Sequence, residues 1–116
     1  MLTVHHVNAV LVVAALVVAG VAALVARRRG AGRTATHAIA LAQTLVIAQV
    51  VFGLLLLADG RRAGDRLHYA YGTFALLCVL SPWLYAPSDP RGRLLWFGVT
   101  MLVAAALGVR AYMTAT

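Results

Sequence analysis

Four long apolar stretches, separated by short polar connections, dominate the pattern of hydrophobic and polar positions along the chain. The stretches are Val4–Ala26, Ala38–Ala58, Leu67–Ala86 and Leu94–Met113. A helix crosses the hydrocarbon core of a bilayer in roughly 20 residues, and each stretch meets that length. The pattern predicts an integral membrane protein, with residues 1–116 forming a single transmembrane domain.

The connections between the stretches are turns rich in Gly, Pro, Asp and Arg. They cover residues 27–33, 59–65 and 87–93, and none is long enough to form a domain. Short connections make consecutive helices antiparallel neighbours. The predicted fold class is all-α, with the chain forming an up-down-up-down four-helix bundle in the membrane.

Composition and charge agree with a membrane location. The chain is 63% hydrophobic and only 11% charged, whereas a soluble domain carries about 25% charged residues. All ten basic residues are arginines, and the net charge is +7. In a soluble protein this charge would indicate nucleic acid. Arginines at the ends of membrane spans indicate lipid phosphate instead, so we expect the lipid bilayer and no nucleic acid as a partner.

The arginines also predict the orientation of the chain. No arginine precedes the first stretch, and Arg27–Arg29 follow it directly, which is not the order of a cleavable signal peptide. The first and third connections hold six arginines, against four on the opposite side. By the positive-inside rule, we expect a multi-pass protein of the bacterial inner membrane with both termini outside.

Small and polar residues mark the face of each helix that we expect to point into the bundle, because helix contacts in membranes favour small residues. At about 100° per residue, one face of each stretch carries them. The predicted inward residues are His5, Asn8, Val12, Ala15, Ala19 and Ala23, then Ala42, Gln49 and Gly53, then His68, Gly72, Ala75 and Val79, and finally Ala104, Gly108 and Ala111. The residues expected on the opposite, lipid-facing side of the first stretch are His6, Val10, Val13, Val17 and Leu24.

Antiparallel packing brings two of the four histidines to one level near the outer end of the bundle. His5 and His68 belong to diagonal helices, so their imidazoles can approach one flat ligand from opposite sides. A haem iron accepts two axial imidazoles in this way. Gly72, one turn after His68, leaves room for the macrocycle. The pattern predicts that His5 and His68 ligate the iron of one haem b.

Further residues complete the predicted haem site. Asn8 would fix the tautomer of His5, and Arg66 and Arg110 would meet the haem propionates. The other members of the predicted site are Gln49, Gly53 and Gly108. A purely structural interpretation stands beside this one, since histidines are common at the ends of spans and glutamine also bonds across helices.

The four-span layout with paired histidines resembles the small b-type cytochromes of bacterial inner membranes. The opening of the third stretch is similar to that of other small four-span proteins, and it reads Leu67, His68, Tyr69, Ala70, Tyr71 and Gly72. The resemblance implies electron transport or sensing through a bound haem. Two-haem cytochromes of this type have two histidine pairs, whereas this chain offers one, which implies at most one haem.

Two other functions stay open. The chain is equally suited to be a non-catalytic accessory subunit that binds a larger membrane complex, respiratory or other, or further copies of itself. It could also bind a metal or a quinone at the same outer cluster. Conventional hydrolytic catalysis is not expected, because all three acids, Asp59, Asp65 and Asp89, lie in the connections.

The predicted orientation is tested by a reporter fused after Thr116. We expect activity from a reporter that works only outside the cytoplasm, because the arginines after the first stretch hold that connection inside. Activity of a cytoplasm-only reporter at the same position would overturn the assignment.

Overall fold

Four helices make up almost all of the chain in the computed structural model, which describes residues 2–29, 33–60 and 66–114. They are α1 (Leu2–Arg29), α2 (Arg33–Ala58), α3 (Leu67–Tyr85) and α4 (Pro90–Met113). Each contains a segment long and apolar enough to cross a membrane. The predicted all-α bundle of four apolar spans is confirmed. Arg61, Arg62 and Asp65, which enter the charge pattern above, lie outside the described residues.

The helices pack as antiparallel neighbours around a common axis. α1 contacts both α2 and α4, α3 packs mainly against α4, and α2 and α3 share the fewest contacts of the four neighbouring pairs. We call the end where α1 and α3 begin the histidine end, since it holds His5, His6 and His68. The opposite end, where α2 and α4 begin, is the arginine end, with Arg27, Arg28, Arg91 and Arg93.

The small-residue faces predicted from the sequence form the core. Ala19 and Ala23 of α1 and Ala104 of α4 are completely buried, as is Ala42 of α2. Small side chains let the backbones approach, which is how helices gain contact where lipid competes with every apolar surface. The largest fully buried side chains are Leu16, Val79, Pro82 and Met101, and of these the sequence pattern identified only Val79.

Two glycines that the pattern also missed let the backbones of α1 and α4 approach closely. A Cβ added to Gly20 would lie 3.1 Å from the carbonyl oxygen of Gly98, and one added to Gly98 would lie 3.3 Å from that of Gly20. Leu102 covers Gly20, and Leu24 covers Gly98, each within 2.7 Å of the added Cβ. These glycines set how closely the two helices approach.

The expected lipid face of α1 needs a correction for this reason. Leu24 packs on Gly98, and Val13 reaches to 3.3 Å from the position that a Cβ on Gly108 would occupy. Because the glycines of α4 have no side chain, the side chains of Leu24 and Val13 fill the space beside them. Val10 and Val17 are exposed as predicted.

Pro82 lies inside α3 without ending the helix. Proline has no N–H, so the carbonyl of Cys78, four residues earlier, loses its helical partner. The Ser81 hydroxyl donates to that carbonyl at 2.8 Å, and Gln43 of α2 donates to the neighbouring carbonyl of Val79 at 3.4 Å. Both bonds satisfy backbone oxygens where no water would reach them.

Replacing Ala19 with Leu should destabilise the bundle by about 1–3 kcal/mol, because the larger side chain must separate tightly packed helices. The measurement is thermal unfolding in mild detergent. Val18→Leu is the matched control, since Val18 is 62% exposed and faces outward. Equal stability of the two variants would contradict the observed packing face of α1.

Candidate functional site

A chain of hydrogen bonds joins α1 to α2 near the histidine end. The Asn8 amide donates to the backbone oxygen of Leu45 at 3.1 Å and to Oε1 of Gln49 at 3.0 Å. Nε2 of Gln49 then lies 3.4 Å from Nε2 of His5. Because Asn8 uses its N–H groups on both oxygens, the Gln49 amide presents its own N–H to the imidazole.

This chain sets the tautomer of His5. Its Nε2 accepts from Gln49, so the proton of the neutral ring is on Nδ1. Nδ1 is buried and has no hydrogen-bond partner among the described residues. A buried donor without a partner costs about 1–3 kcal/mol, and such groups in native proteins are often functional. His5 is therefore a buried histidine whose ring is only partly satisfied by hydrogen bonds within the described residues.

The second histidine of the site, His68, is held by the opposite side of the bundle. Its Nδ1 donates to the backbone oxygen of Ala111 at 2.6 Å. Ala111 belongs to the last turn of α4, and its carbonyl oxygen also accepts from the Thr114 hydroxyl at 3.1 Å. In the neutral ring this arrangement puts the lone pair on Nε2 of His68.

The structure brings the two predicted ligands together across the bundle. The ring centroids of His5 and His68 are 6.2 Å apart, with an angle of 74° between the planes. The two rings are therefore neighbours in an edge-to-face contact. The edge of His5 that carries both nitrogens lies toward Gly53 of α2, since a Cβ on Gly53 would lie 3.3 Å from Cε1 of His5.

A cavity of about 110 Å³ lies at this level, with walls from all four helices. His5, His68 and Gln49 contribute to it, together with Gly72 and Gly108. Ligand pockets for drug-sized molecules measure roughly 300–1,000 Å³. The cavity is therefore too small for a porphyrin unless neighbouring helices move apart.

The three predicted glycines differ in what occupies the space beside them. A Cβ on Gly53 would lie 3.3 Å from Cε1 of His5, so this glycine makes room for the imidazole itself. Gly108 makes room for Val13, although it also borders the cavity. Only Gly72 has nothing within 4 Å of the added Cβ, and it is the glycine that leaves clearance for a ligand.

His6 and Tyr112 lie beside the two predicted ligand residues, although the sequence pattern placed His6 on the lipid-facing side of α1. Both residues border the cavity. The His6 ring centroid lies 6.3 Å from that of His5 and 6.1 Å from that of Tyr112. At the end of a helix, two successive side chains can both border a cavity that lies between adjacent helices. Helical periodicity alone assigns such residues to different faces.

The two arginines of the predicted site are exposed at the histidine end. The Arg110 guanidinium carbon lies 5.6 Å from the ring centroid of Tyr71. Arg66 directly precedes α3. Both positions are open to an anionic group at the surface of the bundle.

Comparison of the chain with models of known protein families, with curated proteins and with solved structures gives no match. The site therefore has to be interpreted from its own chemistry. Across the described residues, no group of three His, Cys, Asp or Glu side chains is arranged to hold a metal ion.

Replacing Gln49 with Leu should change the tautomer equilibrium of His5 and leave that of His68 unchanged, because only His5 loses a donor. Nitrogen-15 NMR of histidine-labelled protein measures both rings separately. The bond should stabilise the bundle by about 0.6–2 kcal/mol, as for other polar contacts between membrane helices. Unchanged His5 signals would show that Gln49 does not set its tautomer.

Proposed function

We propose that this protein binds one haem b between His5 and His68 at the histidine end and uses it for electron transfer or sensing. The observation that carries the proposal is the pair of inward imidazoles with centroids 6.2 Å apart. The fold supplies this spacing from α1 and α3, which are held in place by their separate contacts with α4.

The number of protein ligands favours haem over a bare metal ion. Zinc sites use four protein ligands, or three when one position stays open. Two imidazoles without a third ligand fall short of both arrangements. A porphyrin supplies four nitrogens of its own, so haem iron needs only the two axial ligands that His5 and His68 provide.

Hydrogen bonds in the site orient His68 more firmly than His5. His68 donates its Nδ1 proton to a backbone carbonyl, the arrangement that commonly orients metal-binding histidines. The contact between Nε2 of His5 and Gln49 is long and weak. Breaking it to free Nε2 for a ligand would therefore cost little free energy. Asn8 keeps Gln49 in place during that change, since its bonds to Leu45 and Gln49 are shorter. When bound, haem would supply one-electron chemistry.

Room for the macrocycle requires α2 and α3 to separate. These helices share the fewest contacts of the neighbouring pairs, and Gly72 of α3 leaves open space beside His68. Gln43 is a polar link between them, and it lies toward the arginine end. The bundle can therefore open at the histidine end while staying joined at the other. Arg66 and Arg110 would then meet the propionates.

The orientation and partners follow from the same proposal. The histidine end would face the outside of the bacterial inner membrane, because Arg27 and Arg28 with Arg91 and Arg93 gather at the other end. A single haem near one surface exchanges electrons at that surface and needs a protein or small-molecule partner there. Association with a larger membrane complex is compatible with this role.

The test is haem binding by the purified protein, followed by visible absorbance. His68→Ala and His5→Ala should each lose the low-spin bands of a two-histidine haem. Gly72→Leu should also lose binding, because it fills the clearance while keeping both ligands.

His37→Ala is the matched control, since His37 is exposed near the arginine end, and it should keep the full spectrum. Circular dichroism checks that each variant is helical. A folded wild-type protein without haem absorbance, or a His68→Ala variant with an unchanged spectrum, would contradict the proposal and favour the accessory-subunit interpretation.

A further inference from the structure

A second cavity, more than three times larger than the first, lies near the arginine end. Its volume is about 360 Å³, and its walls come from α2, α3 and α4. Most of the wall is apolar, formed by Ile39, Ala40, Leu94 and Phe97. The proposed haem site does not use this space.

Arg93 borders this cavity, with its guanidinium beside a pair of aromatic rings. The guanidinium carbon lies 5.5 Å from the ring centroid of Trp83 and 5.6 Å from that of Phe97. The two rings contact each other edge to face at 5.6 Å. Contacts of this kind stabilise a cation through its face and leave the N–H groups at its edge for an acceptor.

No acid of the described residues neutralises this guanidinium. Asp89, the acid nearest to Arg93 in the sequence, uses its carboxylate to accept a hydrogen bond from the Gly92 backbone N–H at 2.9 Å and so caps α4. Arg91 on the same turn of α4 adds a further positive charge. The cavity therefore combines apolar walls with a positively charged border.

We propose that this cavity binds an anionic phospholipid, with an acyl chain against Ile39 and Phe97 and the phosphate on Arg93. The occupant must be an amphiphile with a negative head, and the bilayer supplies such molecules at this depth. Arginine donates paired hydrogen bonds to phosphate oxygens, and basic pockets between membrane helices take anionic lipid heads. The site is separate from the histidine end and does not depend on haem.

Trp83 gives a direct measurement, because it borders the cavity. In a Trp96→Phe background it is the only tryptophan. The protein is reconstituted in vesicles that contain phosphatidylglycerol or phosphatidylcholine with brominated acyl chains, and quenching of Trp83 fluorescence reports their proximity. We expect a preference of about fivefold for phosphatidylglycerol, the size expected for one arginine at a membrane surface.

Three variants separate this site from general surface charge. Arg93→Gln should abolish the preference, whereas Arg91→Gln, which removes the same charge from the same helix, should keep most of it. Ala40→Leu fills the cavity without changing charge and should also lose it. Equal losses in Arg91→Gln and Arg93→Gln, or no preference in the parent protein, would overturn the proposal. Displacement of the lipid by millimolar inorganic phosphate would contradict a role for the acyl chain.

Native mass spectrometry of the detergent-extracted protein is an independent check. The parent protein should retain one phosphatidylglycerol and Arg93→Gln should retain none. Retention of the lipid by Arg93→Gln would count against the site.

Discussion

Every polar group inside this bundle has to find its partner within the protein, because a bilayer core offers no water to replace it. That constraint explains the hydrogen bonds that lie at depth. Ser81 serves the carbonyl that Pro82 leaves unpaired, and Gln43 bonds the next one. Asn8 joins α1 to α2 through the Leu45 carbonyl. Among the described residues, Nδ1 of His5 and Nε of Arg27 are the buried side-chain atoms without a hydrogen-bond partner.

Close packing between small residues holds together the helices that carry His5 and His68. Gly20 and Gly98 bring α1 and α4 into backbone contact, and α3 joins them through α4. As a result, His5 and His68 come from helices held by a common neighbour, which fixes their separation. α2 packs closely against α1 and makes few contacts with α3.

The sequence predicted the fold and the inward faces well, because hydrophobic length and small-residue periodicity are local properties. The alanine face of α1 and the convergence of His5 and His68 followed from helical geometry alone. Three features needed the structure. Gly20 and Gly98 depend on the axial offset between α1 and α4, which no single helix determines. Val13 and Leu24 turned inward because glycines across the interface left space. The hydrogen bond from His68 to the Ala111 carbonyl required knowing which helix end lies beside it.

The structure also separates the roles of glycines that look alike in the sequence. Gly53 makes room for His5, Gly108 for Val13, and Gly72 leaves space open. Of these three, only Gly72 has no atom within 4 Å of the position that a Cβ would occupy. The two ends of the bundle then differ in chemistry: one presents imidazoles around a small cavity, and the other presents arginine and aromatic rings around a larger one.

In the proposed function, His5 and His68 would together hold the iron of one haem b. Electron paramagnetic resonance of the oxidised, haem-loaded protein, combined with nitrogen-15 labelling of histidine, tests it most directly. The account predicts a low-spin ferric signal with hyperfine coupling to two histidine nitrogens. A high-spin signal, or coupling to a single histidine, would contradict it.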